Sequence, residues 1–147
     1  MKLKHLTPLL LIVSTLFFVA NANAEWKKDK LFSDNKTEFY TEERVRYEGR
    51  NVYLWELQNY INGHTSGGMR SSVIYVELDC SARRYRNLSI ESYRANMGEG
   101  KPAFGSGTVP VPVKWIYPRP DEKTFGGFQT RVYCDISDKA LKEGLIK

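Results

Sequence analysis

The chain has 147 residues, of which 41% are hydrophobic, 13% aromatic and 27% charged. That length suits one domain with its own core and leaves little room for a second. A formal charge of +5 is compatible with acidic partners but demands none, and two histidines and two cysteines give little material for a metal cluster.

Met1 to Ala24 reads as a removable export signal. Lys2 and Lys4 open it, Leu9 to Val19 is mostly apolar, and Ala22-Asn23-Ala24 supplies the small residues that a signal peptidase needs. Cleavage is expected between Ala24 and Glu25, and loss of the two lysines lowers the net charge by two. The apolar run is shorter than the roughly 20 residues of a membrane span, so no stable membrane insertion of the mature chain is expected. No cysteine near the cleavage point could carry a lipid, which predicts release into the periplasm or beyond, with the cell surface open as a destination. Export argues against nucleic acid as a partner. Cys80 and Cys134 are the only cysteines, and an even count in an exported chain argues for one disulfide. Redox or metal-binding thiols would call for CxxC spacing and nearby histidines, which are absent.

From Glu38 onward the apolar and aromatic residues recur with a period near two, the pattern of antiparallel strands. Glu38 to Arg46 and Asn51 to Tyr60 are expected to pair through Tyr47-Glu48-Gly49-Arg50, with Gly49 free to take a positive φ in the turn. In the second strand Tyr53, Trp55, Leu57 and Asn59 face one way and Leu54, Glu56, Gln58 and Tyr60 the other. Asn62 to Ser72 is polar and glycine-rich and reads as an exposed loop. Val73 to Cys80 and Arg83 to Tyr93 form a second expected hairpin, with Val76, Leu78 and Cys80 on its buried face. Met97-Gly98-Glu99-Gly100 ends that pattern. Gly105, Gly107, Pro110 and Pro112 make the next segment an edge or a meandering loop.

Trp115-Ile116-Tyr117 is a short apolar stretch closed by Pro118 and Pro120. A helix is expected after it, capped by Thr124 and carrying Phe125, Phe128 and Val132 at helical spacing before Cys134. Gly126 and Gly127 each weaken such a helix by about 1 kcal/mol against alanine. Ser137 to Lys142 reads as a frayed last turn. The expected organisation is a signal over 1–24, a folded domain over 25–136 and a short C-terminal tail over 137–147.

The run Tyr75-Val76-Glu77-Leu78-Asp79-Cys80, then Arg84-Tyr85-Arg86, Leu88-Ser89, Tyr93 and Met97-Gly98-Glu99-Gly100, resembles the family of surface adhesin protein E. Weaker matches flank it at Trp55, Leu57 and Tyr60, at Trp115-Ile116-Tyr117-Pro118, and at Val132-Tyr133-Cys134. The resemblance spans roughly Glu38 to Cys134. It implies an α+β fold, a single antiparallel β-sheet with a C-terminal helix packed on it and a Cys80–Cys134 disulfide as staple. It also implies a binding protein without cofactor or catalysis, which attaches to host matrix proteins and pairs with itself. A periplasmic structural or envelope-assembly component of the same fold is the alternative expectation.

Few residues offer chemistry. His64 sits in a polar loop beside Ser66, but adjacent loop residues rarely reach nucleophile–base–orienter geometry, and no nucleophile elbow is present. The loop's glycines precede no helix whose amino end could hold a phosphate. Glu77 and Asp79 share a strand face, where carboxylates more often answer arginines than perform chemistry; Arg84 or Arg86 is the expected cross-strand partner. Arg83, Arg84 and Arg86 form the strongest candidate ligand-binding set, suited to carboxylate or sulfate on a protein or glycan. Alternation places Arg84 and Arg86 on one strand face and turns Tyr85 away.

Overall fold

Ten residues from Asn51 to Tyr60 form the central strand of the domain, because aliphatic and aromatic side chains alternate from Val52 to Trp55 and no glycine or proline breaks the pairing. The computed structural model describes residues 25–32, 36–61, 67–103, 114–119 and 123–147. They hold strands β1 (Trp26–Lys28), β2 (Thr37–Glu42), β3 (Arg46–Glu48), β4 (Asn51–Tyr60), β5 (Ser71–Asp79) and β6 (Arg84–Tyr93). A 3-10 turn (Asn96–Gly98) and helix α1 (Phe125–Lys142) complete them. The strands form one antiparallel sheet in the order β1-β2-β4-β5-β6, with β3 also paired to β4. The expected export signal, the 105–112 segment and the His64–Ser66 loop lie outside the described residues.

The first expected hairpin is present in two pieces. β3 pairs with β4 from Arg46↔Tyr53 to Glu48↔Asn51, across a turn in which Gly49 has φ +56°, and β2 pairs with the far half of β4 from Thr37↔Tyr60 to Thr41↔Glu56. Glu43-Arg44-Val45 interrupts the edge between them. This opens a notch on one side of the sheet that the period-two pattern does not reveal.

Val52, Leu54, Ile74, Val76, Leu78 and Cys80 face α1 and form the core with Cys134, backed by the half-buried Tyr47, Tyr85, Ile90 and Tyr133. The Cys80–Cys134 disulfide joins β5 to α1 across 54 residues of sequence. Thr124 caps the helix by accepting from the Gly127 N–H. At its amino end Phe125 and Phe128 pack with Phe32 and Phe39, the closest rings being Phe39 and Phe125 at 4.4 Å. α1 runs without a break to Lys142 and buries Ser137 fully, so the boundary expected between 136 and 137 falls inside a packed helix. Arg50 and Arg83 hold this distal part by pairing with Asp138 and Asp135.

Two polar features needed tertiary context. Ser71 and Ser72, expected in a loop, are buried residues of β5: the Ser71 hydroxyl donates to the Ala95 carbonyl and accepts from the Gly98 N–H, and Ser72 shares a hydrogen bond with Ser92. These hydrogen bonds offset the cost of taking the hydroxyls out of water. Glu56 lies beneath α1 and is only 5% exposed. Burial pushes its carboxyl up to about 7 against the opposing hydrogen bond from Gln58. The Gln129 side chain neighbours it, but neither of the Gln129 polar atoms completes a hydrogen bond.

Candidate binding face

The sheet face opposite α1 takes every second residue of the long strands, and sequence alternation therefore decides what it displays. Glu77 and Asp79 on β5 stand directly opposite Arg86 and Arg84 on β6. Both expected cross-strand pairs form: Arg84 Nε donates to Asp79 at 2.8 Å, and Arg86 Nε donates to Glu77 at 2.6 Å. Burial works against the Asp79 carboxylate, but the Ala82 N–H, the Arg84 guanidinium and the Ser81 N–H together hold its pKa below the ordinary range. Glu77, 4% exposed, also accepts from the Tyr53 hydroxyl and the Asn51 amide, so its buried charge is fully satisfied. These carboxylates fix arginines and leave no pair free for acid–base work.

The arginines in turn carry aromatic rings. The 114–119 segment joins the edge of β6 through a bridge between Tyr85 and Ile116. It brings Trp115 to 4.2 Å from the Arg84 guanidinium and 4.3 Å from that of Arg86, within cation–π range. Arg84 Nη1 also donates to the Tyr117 hydroxyl at 2.7 Å, and Tyr117 is 61% exposed. An arginine has five N–H donors in a planar fork, so both guanidiniums keep donors beyond those their carboxylates use. Arg83 does not join them. It takes φ +49° in the turn before β6 and reaches the helix side, where it pairs with Asp135 and Asp138. The three-arginine set expected from sequence is therefore two arginines on the open face and one that anchors α1.

Further along the same face Tyr53, Trp55 and Tyr75 stack, with Trp55 and Tyr75 centroids 4.6 Å apart. Arg46 lies 4.2 Å over Tyr53, donates to the Tyr75 hydroxyl and pairs with Glu48. Arg44 donates twice to one oxygen of the buried Glu42. Arg44, Arg46, Glu42 and the three rings line a pocket of about 370 Å³ at the notch between β2 and β3. The upper end of the face is closed instead: the 3-10 turn packs over Leu57 and Val73, and the Met97 N–H donates to Asn59. Trp115 and Tyr117 were visible in sequence as an apolar stretch and a weaker family match, but not as part of this face, since nothing local shows which edge they join. Among the described residues no three metal-ligating side chains converge, and no helix is long and apolar enough to cross a membrane.

A single antiparallel sheet stapled by a disulfide to one C-terminal helix, with its other face presenting arginines on aromatic rings, defines a small α+β binding domain. The family model for surface-adhesin protein E matches residues 26–134, and the chain belongs to that family. Solved structures of Haemophilus influenzae protein E share the fold. One, from a non-typeable strain, aligns at a TM-score of 0.55 and 15% identity over 77% of this chain and 78% of that one. A second, in crystal form II, aligns at 0.51 and 16% identity over 68% and 82%. A third aligns at 0.50 and 16% identity over 69% and 80%. No curated protein sequence matches the chain. The family is that of an adhesin-like binding protein, which implies a non-enzymatic role and a surface or exported location.

Proposed function

We propose that this is an exported, non-catalytic attachment protein whose Arg84–Arg86 patch binds acidic groups on host extracellular-matrix proteins or glycans. The observation that carries this reading is the pair of guanidiniums held against Trp115. Each is prealigned by a carboxylate behind it, at 26% and 28% side-chain exposure, and flanked by the exposed Tyr117. Prealignment lowers the side-chain entropy lost on binding, and a planar fork matches carboxylate or sulfate in a way that lysine cannot. Family membership supports attachment as the task.

The test is binding of the purified mature protein to immobilised matrix glycoproteins and sulfated glycans, with Arg84→Ala/Arg86→Ala as comparison. The expected outcome is salt-sensitive binding that weakens at least about tenfold in the double variant. Unchanged binding in a folded double variant refutes the patch. Location is a separate measurement. Protease digestion on intact cells places the chain at the surface, whereas protection until the outer membrane is opened favours a periplasmic envelope component.

A further inference from the structure

Ion pairing on the open sheet face leaves one carboxylate over. Glu38 faces Lys28, Glu42 faces Arg44, Glu48 faces Arg46, Glu77 faces Arg86 and Asp79 faces Arg84. Among the described residues Glu91 alone of the carboxylates on this open face has no cation; its partner is the Tyr93 hydroxyl, which donates to Oε2 at 2.6 Å. Glu91 lines a second pocket, of about 270 Å³, with Trp26, Glu42, Trp55 and Val73. Both Arg44 bonds to Glu42 go to Oε1, so Oε2 of that buried carboxylate keeps its acceptor capacity. Two indoles and two carboxylates with unused oxygens, carrying one cation between them, therefore share one cup.

We propose that this cup binds a lysine side chain presented by a polypeptide partner. The indole faces attract a cation, and the carboxylates supply both the missing charge and acceptors for N–H donors. A primary ammonium has three such donors and a quaternary ammonium none, which selects lysine over a choline-type group. An unbranched butyl stem suits a cup walled by Trp26, Trp55 and Val73, since lysine buries its methylenes on apolar surface while its head stays polar. This site is distinct from the Arg84–Arg86 patch, and the two can fail separately. A partner that carries both lysines and acidic groups would engage both.

The test is titration of the mature protein with Nα-acetyl-lysine N-methylamide, its neutral norleucine counterpart and choline, read by the indole N–H resonances of the tryptophans. The expected result is saturable movement of the Trp26 and Trp55 signals with the lysine amide and not with the norleucine amide, while Trp115 stays in place. Glu91→Gln is expected to weaken this at least about tenfold, with amide spectra confirming the fold. Arg84→Ala/Arg86→Ala is expected to leave it unchanged. Equal response to the norleucine amide, preference for choline, no response to about 100 mM, or full binding by Glu91→Gln each overturn the proposal.

Discussion

Replacing Glu56 by glutamine tests whether a carboxyl lies unpaired by any cation between sheet and helix. Burial raises the Glu56 pKa from the ordinary 4.5 to about 7. The folded chain therefore binds this proton more tightly than the unfolded chain, and folding favours the protonated form. The penalty for a buried charge is absent below about pH 4.5, grows as pH rises, and is complete above about pH 7. A rise of that size corresponds to roughly 3 kcal/mol at about 1.4 kcal/mol per unit. Glutamine has nearly the same shape and no charge to lose. Urea denaturation of both proteins at pH 5 and pH 8 should show Glu56→Gln gaining roughly 2–3 kcal/mol relative to the parent on going to the higher pH. Other titrating groups cancel in that comparison. Parallel stability–pH profiles for the two proteins would refute the buried-charge argument, whatever the absolute stabilities.

Two further predictions concern how α1 is seated. A Cβ at Gly126 would lie 2.3 Å from Cζ of Tyr85, so Gly126→Ala should destabilise the domain by roughly 1–3 kcal/mol, against the ordinary helical gain; thermal unfolding reads the sign. Cys80→Ser/Cys134→Ser should cost roughly 2–4 kcal/mol in denaturant titrations, since the bridge closes a 54-residue separation. An unchanged midpoint would mean that packing of Phe125 and Phe128 suffices to hold the helix.

The antiparallel pattern, the buried side of β5, the cap at Thr124, and the placing of Arg84 and Arg86 on one face with Glu77 and Asp79 in reach are all legible in the residues taken in order. Those features follow from periods of 2 and 3.6, from cap chemistry and from a count of two cysteines, all of which are local or combinatorial. Where polarity is buried and where backbones touch became clear from the folded arrangement alone. Ser71 and Ser72 read as loop residues because composition registers a side chain's polarity and not the partner that satisfies it, and alternation put Glu56 on one strand face without showing that α1 covers that face. Gly126 read as a weak point in a helix, whereas the Tyr85 ring occupies the space its missing side chain leaves. The split of the first hairpin at Glu43-Arg44-Val45, the divergence of Arg83 from Arg84, and the joining of Trp26 and Trp115 to the open face all depend on which strands meet. That choice is settled by contacts among residues far apart in the chain, which no local period encodes.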